Sequence, residues 1–143
     1  MTTTYRFDHE KLNVYREALA FVGRATELLE RLPKRMAAYD QLDRASTAIP
    51  LNIAEGTGKF TSPDRCRYYD TARGSALECA ACLDVLVVKK VLKKPDIAEA
   101  KEILVRVVSM LVGLIKFVAP DRVYEEGGDY VAKLPKEQVK VKE

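Results

Sequence analysis

The sequence predicts an all-α fold, an antiparallel up-down four-helix bundle. Three observations lead there. Apolar residues recur at steps of three and four through four separate stretches. Glycine and proline are scarce, at seven and six of 143 residues, while Ala, Leu, Val, Lys and Glu abound; that composition favours helix. The connections left between the stretches are short, which makes antiparallel neighbours the default. The length suits one domain. Residues 1–7 read as an N-terminal extension, 8–119 as the bundle and 120–143 as a flexible C-terminal tail.

The first helix is expected from Asp8, a residue suited to the N-cap, to Leu32, where Pro33 stops it. Leu12, Tyr15, Leu19, Val22 and Leu29 form one seam; Val14, Ala18, Phe21, Ala25, Leu28 and Leu32 form another. The second helix spans Met36 to Glu55 and ends at Gly56 or Gly58, which suit a left-handed C-terminal cap. Pro50 lies inside it and lacks the N–H that would meet the carbonyl of Ser46, so a kink, or two helices meeting there, is expected. The third helix opens at Ser62 as cap, with Pro63 in its first turn and Asp64 and Asp70 early, where the helix dipole favours negative charge. Tyr69, Ala72, Ala76, Cys79, Leu83 and Leu86 are its core seam, and it runs to Leu92 before Lys93-Lys94-Pro95. The fourth helix spans Asp96 to Val118. It carries more apolar surface than one small bundle buries, which points to a second face packed on another subunit. In the tail, Tyr124 and Tyr130 are the residues able to dock.

Composition narrows the classes. The apolar share of 48% and charged share of 31% are those of a soluble globular protein. The run from Ile103 to Val118 is broken by Arg106, Ser109 and Lys116 and falls short of the about 20 residues of a membrane span. No signal-like start precedes it. Three cysteines, an odd number, read as reduced thiols of a cytoplasmic protein. The net charge is +3, with 20 Lys and Arg against 16 Asp and Glu in residues 1–122. That sum is weak evidence for nucleic acid; a cluster on one face, or multiplication in an oligomer, would matter more.

The chemistry-bearing candidates are few. Asn52 and Glu55 lie one helical turn apart, as do Ser75 and Glu78. With Arg44 or Arg73 they read as an interhelical hydrogen-bond network that fixes register or a subunit contact, and Gly56 and Gly74 would let backbones approach. A catalytic carboxylate pair is the alternative, but no nucleophile or further ligand accompanies it. The single histidine, His9, has no Glu three residues before it, so a di-iron bundle is not expected; His9 is expected exposed near a helix start. Cys79 and Cys82 lie mid-helix and read as small buried residues, because zinc would need two more ligands. Gly56-Thr57-Gly58-Lys59 lacks the spacing of a phosphate loop. No metal, cofactor or catalytic residue is assigned. Two groups of cations are candidates for nucleic-acid binding: Lys59, Arg65, Arg67 and Arg73, interleaved with Phe60, Tyr68 and Tyr69, and Lys89, Lys90, Lys93 and Lys94. The aromatics of the first group are expected to belong to a core seam.

Leu42-x-Arg44-Ala45, Ile49-Pro50-x-Asn52-Ile53-Ala54-Glu55-Gly56 and Ala72-Arg73-Gly74-Ser75-x-x-Glu78 closely resemble the signature of the four-helix bundle family also called 23S rRNA intervening-sequence proteins. The match extends from about Phe7 to Val118. Ala48 departs from it, standing where the family usually has Ser. The resemblance implies an up-down bundle assembling as a homo-oligomeric ring, a pentamer, without enzyme activity. It also implies RNA or DNA, or a nucleic-acid-processing protein, as partner, since similar bundles are accessory factors to the reverse transcriptases of diversity-generating retroelements. A protein-interaction scaffold without nucleic-acid contact is the alternative.

Overall fold

The computed structural model describes residues 4–122. They hold a 3-10 turn (Asp8–Lys11) and four helices: α1 (Asn13–Leu29), α2 (Ala37–Thr57), α3 (Ser62–Val88) and α4 (Lys94–Val118). No strand occurs among the described residues. The expected tail with Tyr124 and Tyr130 lies outside them.

The helix seams become the core. Ala18, Phe21, Leu42, Ile49, Ile53, Ala72, Ala76, Cys79, Leu83, Leu86, Val107 and Leu111 are all completely buried. α1 packs on α2 and α4, and α3 packs on α2 and α4. Glu17–Arg106, Arg24–Glu99 and Arg31–Asp96 ion pairs join α1 to α4. Asp84–Lys101 and Asp70–Arg122 pairs join α3 to α4 and its exit, and the Ser62 hydroxyl donates to the Val118 carbonyl at 2.9 Å. These ties put the α1–α2 and α3–α4 connections at one end of the molecule. The α2–α3 connection and the last turn of α4 lie at the other. No described helix is long and apolar enough to cross a membrane.

Several expected boundaries are corrected. Asp8 does not cap a long first helix. Glu10 turns back to accept from the Arg6 and Phe7 amides at 2.7 and 2.8 Å, closing a separate turn. Leu12 is then extended and α1 begins at Asn13. α1 ends at Leu29, yet Leu32 stays buried beyond it. α2 runs unbroken through the buried Pro50. Its cap, Gly58, is right-handed at φ −82°. Gly56 is instead required by close approach: a Cβ there would lie 2.9 Å from the Tyr68 Cβ and 3.0 Å from the Tyr69 ring. Thr61, not Ser62, caps α3, its hydroxyl accepting from the Asp64 amide at 3.3 Å. α3 stops at Val88 rather than Leu92, and α4 starts at Lys94 rather than Asp96.

Candidate nucleic-acid interface

In the single chain the residues expected to form an interhelical network lie toward the outside of α2 and α3. Arg44, Glu55, Gly74 and Glu78 are exposed, while Asn52, Arg73 and Ser75 are half-buried. The Asn52 amide donates to the Ala48 carbonyl of its own helix at 2.8 Å. The reason is rotational position. The faces that α2 and α3 turn to the core carry Ala45, Ile49, Ile53 and Gly56 against Tyr69, Ala72 and Ala76. Glu55 and Glu78 fall on the outer faces, where Leu51 and Leu77 are also exposed. A Cβ on Gly74 would meet nothing within 4 Å. Glu55 and Glu78 are therefore surface residues of the single chain, with no geometry of a shielded carboxylate pair.

The remaining small candidates resolve simply. Cys66, Cys79 and Cys82 are free and buried. Burial pushes the Cys79 thiol up to about 12, and Cys82 rises for the same reason; both stay protonated and inert. His9 is half-buried rather than exposed, stacked on Phe7 and edge-on to Tyr15. Among the described residues no group of three metal-ligating side chains occurs.

The two cation groups lie at opposite ends. Between them runs α3, whose 27 residues span about 40 Å. At the α2–α3 connection, Lys59 Nζ stands 5.0 Å and Arg67 Cζ 6.0 Å from the Tyr68 ring centre. Arg65 Nε donates to the Lys59 carbonyl at 2.7 Å. This end is close to charge balance. Asp64 pairs with Arg67 at 2.9 Å, Asp70 pairs with Arg122 at 2.7 Å, and Glu55 lies in the last turn of α2. Arg73 sits apart, mid-helix. The expectation that the aromatics form a core seam holds only for Tyr69, 2% exposed; Tyr68 is half-buried and Phe60 is 98% exposed.

The other end is strongly basic. Lys89, Lys90, Lys93 and Lys94 are all exposed. The structure adds three cations that sequence reasoning passed over: Arg31, Lys34 and Arg35, from the α1–α2 connection. Only the fold brings these two connections together. Against the seven stand Glu30, Asp40 in the first turn of α2, and Asp96, and Asp96 is engaged by Arg31 at 3.2 Å and by the Lys93 amide at 2.8 Å. Those hydrogen bonds, the Lys93 amide first and Arg31 second, hold the Asp96 carboxyl below the usual range. Lys34, Arg35, Lys89, Lys90, Lys93 and Lys94 have no ion-pair partner among the described residues.

Lys90 is the one described non-glycine residue with positive φ, at 63°. It closes α3 in a left-handed turn. The Lys90 amide donates to the Val87 carbonyl at 2.9 Å and the Val91 amide to the Leu86 carbonyl at 3.0 Å. Glycine is the favoured residue at such a position. Here a lysine occupies it, at a cost in backbone strain.

Residues 10–113 match the model of a family described as 23S rRNA-intervening sequence protein. The chain belongs to that family. Comparison with curated proteins finds no match. Among solved structures, it is similar to a crystal structure of a protein of unknown function from the S23 ribosomal protein family of Bacteroides thetaiotaomicron. The TM-score is 0.68 at 22% identity, over 72% of this chain and 98% of that one. That likeness supports the helical fold. The family match covers α1, α2 and α3 and most of α4, including the outward-facing signature residues of α2 and α3.

Proposed function

We propose that the protein is a non-catalytic, self-assembling bundle that binds the phosphate backbone of RNA or DNA through its basic end. The observation that carries this is the gathering of Lys34, Arg35, Lys89, Lys90, Lys93 and Lys94, unpaired, on two adjoining connections. The family's description, which refers to 23S rRNA intervening sequence, agrees with an RNA-related role. The bundle is antiparallel and up-down, and it works as a homo-oligomeric ring, a pentamer, in the cytoplasm, so that one assembly presents several basic ends. Flexible lysines without an exposed aromatic beside them supply phosphate contacts rather than base readout.

Fluorescence anisotropy with labelled RNA and DNA, at about 50 mM and about 200 mM salt, tests this. Binding should weaken steeply with salt, and a Lys89→Glu, Lys90→Glu, Lys93→Glu, Lys94→Glu variant should lose it. No binding at low salt by assembled protein would overturn the proposal.

A protein-interaction scaffold is the second reading. It is favoured by the exposed Leu51 and Leu77 on the outer faces of α2 and α3. A stoichiometric protein partner retained after nuclease treatment would support it.

A further inference from the structure

We propose that the α2–α3 connection is a contact for single-stranded nucleic acid, in which Phe60 stacks on an unpaired base and Lys59 and Arg67 meet the flanking phosphates. This rests on the nucleic-acid reading above and adds a second, chemically different site at the opposite end.

Phe60 is 98% exposed, so its ring contributes nothing to the core. The backbone on both sides of it is nonetheless tied down. The Lys59 amide donates to the Gly56 carbonyl at 3.0 Å, and the Arg65 side chain donates to the Lys59 carbonyl at 2.7 Å. Thr61 accepts from the Asp64 amide through its hydroxyl and from the Arg65 amide through its carbonyl. An aromatic ring held out by a fixed turn loses little freedom on binding. Lys59 and Arg67 gather on the Tyr68 ring at the same connection, 5.0 and 6.0 Å from its centre, and Arg67, which also pairs with Asp64 at 2.9 Å, would exchange that carboxylate for a phosphate. A ring that stacks, flanked by cations, is the chemistry that holds single strands without sequence preference.

Duplex fits poorly, because the faces of paired bases are already covered by their neighbours and a phenyl ring at a turn can stack only on a base that is free. A protein pocket fits less well too. An aromatic anchor in a protein interface is surrounded by further packed contacts, whereas Phe60 lies between Lys59 and Thr61 at the tip of a polar turn.

The chain contains no tryptophan, so Phe60→Trp gives a sole indole reporter at the site. Phe60→Ala, Phe60→Tyr and Phe60→Trp are compared with the unaltered chain, using labelled oligouridine and an RNA duplex of equal length. The expected result is a loss of about tenfold in oligouridine affinity for Phe60→Ala, the scale of one base–aromatic stack. Duplex affinity should stay unchanged, Phe60→Tyr should bind normally, and Phe60→Trp emission should shift when oligouridine is added. If Phe60→Ala binds oligouridine normally and the indole emission stays constant, while the lysine-to-glutamate variant of the basic end loses binding, this inference fails and the phosphate-binding reading stands. If the unaltered chain binds neither probe, both fail. If Phe60→Ala changes the oligomeric mass in light scattering, Phe60 is a contact between copies and the inference is overturned.

Discussion

Lys90 holds its backbone at φ 63°, where a Cβ crowds the following carbonyl at a cost of about 1–2 kcal/mol. Replacing it with glycine removes that strain but adds freedom to the unfolded chain, worth about 0.4–1 kcal/mol in the other direction. Lys90→Gly should therefore stabilise the protein by about 0.5–1 kcal/mol, read by urea denaturation, and at the same time weaken RNA binding. A variant that is more stable and binds equally well would show that the lysine serves no ligand. Gly56 is the opposite case. Its missing Cβ is filled by Tyr68 Cβ at 2.9 Å and the Tyr69 ring at 3.0 Å. The first of these is fixed to backbone and cannot swing away. Gly56→Ala should thus cost about 1–3 kcal/mol, despite the gain in helix propensity. It should also disturb the Tyr69–Thr57 hydroxyl contact of 2.8 Å.

At the scale of elements, Asp96 both caps α4, accepting from the Lys93 amide that opens it, and ties that helix to the chain just beyond α1, accepting from Arg31. Its folded-state pKa is lowered, so the stabilisation is complete above the ordinary aspartate range and is lost as pH falls through the lowered value. Asp96→Asn should therefore lower the melting temperature at neutral pH, and the gap from the unaltered chain should close in acid, below about pH 3.9. A gap that stays constant with pH would mean the carboxylate charge contributes nothing. The helices themselves were legible because three-and-four periodicity records burial directly. Val14, Ala18, Phe21, Ala25 and Leu28 read as one seam and are one buried seam. Helix ends were less legible, because they depend on local hydrogen bonds that the apolar pattern does not carry. Glu10 captures the amides that Asp8 was expected to organise, and Thr61 takes the cap while Ser62 reaches across to α4. The basic end was half legible. Four lysines within six residues stand out in sequence, but Lys34 and Arg35 join them only because α1 and α2 turn beside the same end.

At the scale of the whole molecule, the proposed assembly makes its sharpest prediction at Gly74. Gly74 lies mid-helix in α3, where glycine is less stable than alanine by about 0.5–1 kcal/mol. Unlike Gly56, it is not needed for packing inside the chain, since an added Cβ meets nothing within 4 Å. Its outer-face companions include the exposed Leu77 and, from α2, Leu51. A backbone left bare beside exposed leucines suits the close approach of a second copy, and a stable contact of this kind buries about 800 Å² per partner. Repeated around a closed ring, the contact would also multiply the basic ends available to one nucleic acid and so steepen the salt dependence, by about 0.9 in logarithmic slope for each added phosphate. Light scattering coupled to size exclusion should give several times the 16.1 kDa chain mass for the unaltered protein. Leu51→Glu with Leu77→Glu should give a folded monomer with intact helical circular dichroism and a shallower salt slope. Gly74→Ala supplies the finer test, because the two roles of the residue predict opposite results. If a second copy packs on Gly74, the added methyl group lowers the assembled mass; if it faces only solvent, the mass holds and the melting temperature rises by the helix-propensity gain alone.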